Sequence, residues 1–117
     1  MKNNKILIMV AHPDDEIIGC GGTISKISKN NEIMCVFYSD GESSRDKISR
    51  NKILSRKKNA LEASSYLGIN KPIFLNYKDN QLDRYPLLNI IKKTEKIINS
   101  FKPDIIFTHF YDDLNID

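Results

Sequence analysis

The 117-residue chain is close in length to one small domain, for which the usual prior is ~150 residues. Its composition, 40% hydrophobic and 28% charged, is that of an ordinary globular protein and excludes wholesale disorder. The 18 basic and 15 acidic residues leave a net charge of +3, too weak and too dispersed for a nucleic-acid-binding surface. Two cysteines, Cys20 and Cys35, do not make a disulfide framework. No apolar run approaches the ~20 residues that span a bilayer, and the N-terminus lacks a signal-peptide pattern, so we expect a soluble, cytoplasmic protein.

Apolar segments with strand and helix patterns alternate along the chain. The continuous apolar run at residues 6–10 is typical of a strand buried on both faces of a parallel sheet. In chain order we predict a strand at 6–10, a helix carrying Ile17, Ile18, Ile24 and Ile27, a strand at 33–38, a polar stretch at 40–49, a helix at 50–67 ended by Gly68, a strand at 72–75, a helix from Pro86 to near Phe101, and a strand at 104–108. This order predicts an α/β fold, a Rossmann-like open parallel sheet with helices on both faces.

Four polar segments rich in acidic residues follow the predicted strands, at residues 11–16, 39–42, 76–80 and 108–117. The carboxyl ends of parallel strands lie at one edge of a sheet, and ligands of open α/β folds bind there. No comparable concentration of acidic residues precedes the strands. The sequence therefore predicts a functional site at the carboxyl edge.

The first of these segments places His12, Asp14, Asp15 and Glu16 within five residues. Like charges this close are costly unless a cation neutralises them. His and Asp are good zinc ligands, and a catalytic zinc site typically has three protein ligands and an open water position. His12 and Asp15 can converge on one ion across a strand-to-helix turn, which leaves Asp14 as a general base. The same acids also suit a helix start, where they favour the helix dipole, and the segment alone does not decide between the two interpretations.

A dinucleotide-binding turn is the alternative suggested by Gly19, Gly21 and Gly22, with Asp40 after the second strand. That fingerprint needs glycines in the turn itself, so that backbone amides face the pyrophosphate. Here the turn holds carboxylates, which repel phosphate. We therefore expect the glycines to allow close packing of the helix on the sheet.

Three further features carry weaker signals. Cys20 lies near the acidic turn, where it is either a soft zinc ligand or, more commonly, a small buried thiol. Residues 113–117 resemble the opening of an EF-hand loop, but they follow a strand rather than a helix, which favours a solvated acidic loop. Arg56 would meet an anionic product or transition state if its helix starts at the carboxyl edge.

Several strings along the chain match one known family. The string AHPDDE at residues 11–16, followed by GCGGTI at 19–24, strongly resembles the first motif of the PIG-L/LmbE-like deacetylases. Residues 39–42 resemble the family's short T-x-G-E segment. Arg56 opens a stretch similar to the R-x-x-E-A-x-x-A-x-x-x-L-G helix, with Asn59 in place of its Glu. Residues 113–117 resemble D-x-N-x-D-H as far as the residue before its histidine.

The resemblance implies a zinc-dependent N-acetylglucosaminyl de-N-acetylase. It implies that His12 and Asp15 bind Zn²⁺, or another divalent metal, and that Asp14 is the general base. Arg56 matches an arginine on the acetate or oxyanion side. His109, at the same edge of the sheet, is the candidate for protonating the leaving amine or stabilising the oxyanion.

The last matching string stops at Asp117, directly before the position of the third zinc ligand. We therefore expect residues 1–117 to be the N-terminal portion of a single α/β domain, truncated inside the second metal motif and with an incomplete sheet. The expected partner is a small N-acetylated sugar conjugate of open aglycone, without nucleic acid or a membrane span. An exposed C-terminal edge leaves a homo-oligomer open. The alternatives are a catalytically inactive fragment or metal-binding module of the family and, with less support, a nucleotide-binding module.

Overall fold

The computed structural model describes residues 1–42 and 50–117. Residues 43–49 of the predicted polar stretch lie outside the described residues. The elements are β1 (Lys5–Val10), α1 (Asp15–Ile27), β2 (Glu32–Ser39), α2 (Arg50–Leu67), β3 (Ile73–Tyr77), α3 (Leu87–Phe101) and β4 (Ile105–Thr108), with short 3₁₀ turns at Ser28–Asn30 and Leu82–Arg84.

The four strands form one parallel sheet in the order β3-β2-β1-β4, which confirms the predicted Rossmann-like open sheet. β1 pairs with β2 from Lys5 to Val10 and with β4 from Ile6 to Met9. β1 therefore lies inside the sheet, where both faces are covered, and this explains its continuous apolar run.

Helices cover both faces of the sheet, as predicted. Alternate residues of β1 divide between two apolar cores, because successive side chains of a strand point to opposite faces. Ile6, Ile8 and Val10 pack with Ile24 of α1 and Ala60 of α2. On the other face, Leu7, Val36, Tyr38 and Tyr77 pack with Phe101 of α3, together with partly buried residues of that helix.

Helix α1 differs from the prediction in the role of its glycines. It begins at Asp15, and its backbone is not helical at Cys20, where φ is −146° and the helix kinks. Gly19 and Gly22 are exposed, and a Cβ built on either meets no atom within 4 Å. The expectation of close helix–sheet packing through these glycines is therefore wrong. Gly68 has a φ of +71° directly after α2, as expected of a residue that ends a helix.

The observed bounds of β3, β4 and α3 differ from the predicted ones by one or two residues. β3 runs two residues further than predicted, to Tyr77, and β4 begins at Ile105. Pro86 is the N-cap of α3 rather than its first residue. No helix in the described part of the chain is long and apolar enough to cross a membrane.

The sheet order places the site. The chain leaves β1 toward β2 on one side, whereas β4 lies on its other side, so the direction of winding reverses between β1 and β4. Open α/β sheets bind ligands outside the carboxyl ends of the strands at this switch point. His12 follows β1 there, and His109 directly follows β4.

Candidate functional site

A tight turn at the end of β1 brings His12 and Asp15 together. The backbone N–H of Asp15 donates to the carbonyl of His12 at 3.2 Å, and the N–H of His12 donates to Oδ2 of Asp15 at 2.9 Å. The same Oδ2 lies 3.3 Å from Nδ1 of the His12 ring. Three residues of separation therefore suffice to put an imidazole nitrogen and a carboxylate oxygen side by side.

The other ring nitrogen of His12 faces two more carboxylates. Nε2 lies 2.9 Å from Oδ1 of Asp79, which follows β3, and 2.9 Å from Oδ2 of Asp117. We call these four residues, His12, Asp15, Asp79 and Asp117, the His12 cluster. One ligand atom from each of His12, Asp79 and Asp117 lies within 4.8 Å of the others, a spacing that suits a metal ion.

Asp117 is the most enclosed member of the cluster, with a side chain that is 0% exposed. Its Oδ2 accepts the backbone N–H of Asn80 at 2.5 Å, and its Oδ1 accepts that of Leu82 at 3.1 Å. Both oxygens are thus anchored to the loop after β3. The expectation of a solvated acidic loop at residues 113–117 is wrong at its last residue, since this carboxylate is buried.

The cluster stabilises positive charge at its centre. The hydrogen bond to Asp15, with contributions from Asp117 and Asp79, raises the pKa of His12 to about 9 despite the opposing effect of burial. The largest influence on Asp15 is burial, which favours its neutral form, but the contacts with His12 outweigh it and lower the pKa of this carboxyl. A proton on His12 is therefore held more tightly here than in water.

His109 lies beside the open edge of the His12 cluster. Its Nε2 is 3.2 Å from Oδ2 of Asp15 and accepts the backbone N–H of Ala11 at 3.1 Å. A cavity of about 350 Å³ opens over His12, Asp15 and His109 and extends to Asp117.

Asp14 lies in a different group of residues. Its Oδ2 is 3.3 Å from Nη2 of Arg56, whose Nη1 donates to Oε1 of Glu42 at 2.9 Å. We call Asp14, Glu42 and Arg56 the Arg56 cluster. It lines a second, smaller cavity of about 270 Å³. The structure thus brings His12, Asp15 and His109 together at one cavity and Asp14 and Arg56 together at a neighbouring one.

The guanidinium of Arg56 is bonded on all its edges. Nε and Nη2 both donate to the carbonyl of Pro13, at 3.2 and 3.0 Å, and Nη1 donates to the carbonyl of Gly41 at 3.0 Å. The start of α2 therefore does point to the carboxyl edge, as the role predicted for Arg56 requires. The side chain of Arg56 links the turn after β1 to the turn after β2 through its hydrogen bonds to Pro13 and Gly41.

The sequence assigned no role to two of the four residues of the His12 cluster, Asp79 and Asp117. Asp79 belongs to an acidic segment that the parallel topology assigns to this edge, which was the available signal, but nothing distinguished it from neighbouring acids. Cys20 is not part of the cluster; its Sγ donates to the carbonyl of Glu16 at 3.2 Å. The exposed glycines and the carboxylates at the start of α1 also disfavour a nucleotide-binding turn.

The donor set fits a zinc ion. Zinc takes imidazole nitrogen and carboxylate oxygen as ligands, and a catalytic site keeps one side open. The His12 cluster offers both donor types, excess negative charge and an adjoining cavity.

A protein-family model matches nearly the whole chain. The model described as PIG-L, GlcNAc-PI de-N-acetylase, matches residues 7–117. The chain is 30% identical over 112 residues to a protein of Escherichia coli K12 named uncharacterized deacetylase YaiS, a match that covers 94% of this chain and 57% of that protein.

Solved structures show the same fold. The N,N'-diacetylchitobiose deacetylase from Pyrococcus horikoshii is similar with a TM-score of 0.82 and 30% identity, over 97% of this chain and 44% of that one. GalB, the 4-carboxy-2-hydroxymuconate hydratase from Pseudomonas putida, shares the fold at a TM-score of 0.78 and 20% identity, over 99% of this chain and 50% of that one. The chain spans about half the length of these relatives.

Proposed function

The chain belongs to the PIG-L family, and from that premise we propose a zinc-dependent amide hydrolase that removes the N-acetyl group from an N-acetylglucosamine-type sugar conjugate. One observation carries the proposal. An imidazole, His12, is set among three carboxylates beside an open cavity at the switch point of a parallel sheet.

The metal is assigned to the Nδ1 side of His12, together with Asp15. Metal-ligating histidines usually donate their other ring N–H to a carboxylate. On the Nε2 side of His12, the carboxylates of Asp79 and Asp117 are within hydrogen-bond distance and would accept that N–H. Both oxygens of Asp117 already accept backbone N–H groups, and its side chain is closed to solvent. Both residues line the cavity, but the side chain of Asp15 is 26% exposed, and a catalytic metal ligand must be open to solvent in this way.

Three residues near the proposed metal, Asp14, His109 and Arg56, supply proton transfer and charge. A bound zinc ion would supply a Lewis acid that polarises an amide carbonyl and acidifies water. Asp14, whose side chain is 52% exposed, accepts a proton from the attacking water. His109, beside Asp15, donates a proton to the departing amine or stabilises the oxyanion. Arg56, in contact with Asp14, adds positive charge near the acetate that is formed.

The sugar assignment draws on the family and on one relative. The family description names a GlcNAc conjugate, and the Pyrococcus relative is named for diacetylchitobiose, so both are described by N-acetylglucosamine units. This common chemical unit is the part of the substrate that we carry over to this chain. The aglycone is left open.

The test measures zinc binding first and acetate release second. The metal-free chain is titrated with Zn²⁺ by calorimetry, and the loaded protein is then assayed for free acetate with N-acetylglucosamine conjugates that carry different aglycones. We expect one zinc per chain and acetate release that falls at least about 100-fold in Asp14→Asn, because general-base catalysis contributes about 10²–10⁴-fold. Glu62→Gln, at an exposed carboxylate on α2 that pairs with Lys58, is the matched control.

The two halves of the test separate this proposal from its alternative. Zinc binding without acetate release from any conjugate would favour a metal-binding module over an enzyme. Undiminished acetate release in Asp14→Asn would remove the general-base assignment while leaving the metal assignment intact.

A further inference from the structure

The turn that carries the proposed site has an unusual backbone conformation at one residue. Asp14 has φ 102° and ψ −24°, on the left-handed side of the conformational map. Residues with a Cβ atom seldom adopt this conformation, because the side chain then crowds the backbone. Asp14 is also the N-cap of α1, and its carbonyl accepts the first helical hydrogen bonds, from Ile17 and Ile18. Side-chain contacts must therefore hold this conformation.

Two side chains hold the peptide group between Pro13 and Asp14. The carbonyl oxygen of Pro13 accepts two hydrogen bonds from Arg56, at 3.2 Å from Nε and 3.0 Å from Nη2. The N–H of Asp14 donates to Oε2 of Glu16 at 3.0 Å. This peptide is trans, so its carbonyl and N–H point in opposite directions. One peptide plane is thus held from both sides, and rotating it would break all three bonds.

Glu16 is an unexpected residue for the place it occupies. It is 2% exposed, and no basic side chain within residues 1–42 and 50–117 pairs with it. Burying a carboxylate is costly unless hydrogen bonds compensate. An apolar residue would pack in the same space without that cost, but it could not accept the N–H of Asp14. The hydrogen bond explains why a carboxylate is found there.

The opposite side of the peptide depends on an equally specific arrangement. The guanidinium of Arg56 lies against Gly41, where an added Cβ would be 3.0 Å from both Cζ and Nε. Nη1 of Arg56 also donates to the carbonyl of Gly41. The absence of a side chain at Gly41 leaves the room that Arg56 uses to reach the carbonyl of Pro13.

We infer that Glu16 and Arg56 are positioning residues that lock the peptide between Pro13 and Asp14. The locked peptide fixes the directions in which the flanking residues His12, Asp14 and Asp15 leave the backbone. For its catalytic consequence, this inference rests on the proposed function. The lock itself is a property of the chain and is measurable without zinc or substrate.

Amide hydrogen exchange of the metal-free chain, followed by NMR, tests the lock. In the wild-type chain the Asp14 amide should be protected. In Glu16→Met, which keeps the side-chain length but removes the acceptor, its exchange should accelerate at least about tenfold, as expected for the loss of one hydrogen bond. Glu16→Gln retains a carbonyl oxygen and should restore protection to within about threefold of wild type. Ile24→Val, a core change on the same helix, is the control for general destabilisation.

The exchange rates test whether the peptide between Pro13 and Asp14 is held in place, and they do so independently of enzyme activity. Acceleration confined to the Asp14 amide and rescued by Gln would support the inference. An unprotected Asp14 amide in the wild-type chain would overturn it, and this measurement requires no variant to fold. Uniform acceleration along α1, as in Ile24→Val, would also overturn it, because Glu16 would then serve general stability alone.

Zinc titration adds the consequence for the site. Glu16→Met should weaken zinc binding about 10-fold or more, the usual cost of losing a residue that orients a ligand, whereas Glu16→Gln should bind nearly as the wild type does. Unchanged zinc affinity in Glu16→Met, where the wild type binds zinc, would overturn the positioning role. If the wild type binds no zinc, the proposed function fails, and hydrogen exchange still decides whether the lock exists.

Discussion

The two clusters on either side of Pro13 differ in how their charges are balanced. In the His12 cluster one imidazole faces three carboxylates, and its pKa rises to about 9 as a result. In the Arg56 cluster the guanidinium is bonded on every edge to protein oxygens. An excess of acceptors around a weak base is an arrangement that attracts a cation. The guanidinium of Arg56, whose N–H groups are already occupied by protein oxygens, instead holds the backbone at Pro13 and Gly41 in place.

The largest effect is expected at Asp15. Asp15→Asn should lower zinc affinity at least about 100-fold, because losing one charged partner of a partly buried pair costs about 3–5 kcal/mol. Isothermal titration calorimetry with Zn²⁺ measures the change. Asp83→Asn, in the short 3₁₀ turn after β3, is the matched control and should bind zinc as the wild type does. Equal losses in both variants would mean that net charge, rather than ligation, determines the affinity.

A second substitution sharpens the assignment within the His12 cluster. Asp117→Asn should weaken zinc about 10- to 100-fold, the effect expected of a residue that orients His12 without touching the metal. The same titration checks it. A loss as large as that of Asp15→Asn would instead assign the metal to the Nε2 side, with Asp79 and Asp117 as ligands.

The Arg56 cluster predicts an effect on stability. Gly41→Ala should destabilise the fold by about 1–2 kcal/mol, because φ is +69° there and the new Cβ would press on the guanidinium of Arg56. Gly22→Ala is the matched control: it lies in α1 with open space around it and should stabilise by about 0.5–1 kcal/mol. Urea denaturation of the two variants gives the free energies of unfolding. A neutral Gly41→Ala would show that the approach of Arg56 to Gly41 carries no strain.

The smallest effect we expect is on the pH dependence of the metal-free fold, since solvent screens part of the charge pairing. The pKa of His12 is raised from 6.5 to about 9 on folding, so its contribution to stability is fully present below pH 6.5 and is lost as the pH rises through about 9. The lowered pKa of Asp15 gives a contribution that is present above its ordinary value of 3.8 and is lost as the pH falls. Urea midpoints measured between pH 6 and 8.5 should therefore decline, and His12→Gln should remove that decline.

The sequence predicted the fold well because periodicity reports on burial. The continuous run in β1 and the apolar stripe of α3 each reflect a face that the sheet or helix buries, and both elements formed where expected. The strand order was less accessible, since no local pattern states that β4 pairs with β1. The misjudged glycines of α1 have the same origin: helix propensity is local, whereas what lies beside Gly19 or Gly22 is determined by tertiary packing.

For the site, the sequence identified the residues that are neighbours along the chain. His12 and Asp15 are joined by one turn, so their spacing sufficed. Asp79 and Glu42 reach their partners through the parallel arrangement of β1, β2 and β3. The resemblance of residues 39–42 to T-x-G-E marks Glu42 but not its partner Arg56, and nothing in its own segment marks Asp79. The buried position of Glu16 was equally hidden, because in the string AHPDDE it reads as one more acid at a helix start.

The burial of Asp117 has a consequence for how the molecule folds. Its contact with His12 joins residues 105 positions apart, and the bond from Ala11 to His109 spans 98 positions. Such long-range contacts form only after the intervening chain is ordered, because closing a long loop carries an entropic cost that local contacts do not. A folding intermediate built from β1, β2 and β3 would contain the turn with His12 and Asp15. It would lack the contacts of that turn with His109 and Asp117. Affinity for the cation should therefore rise when β4 docks beside β1 and Asp117 reaches the turn that holds His12.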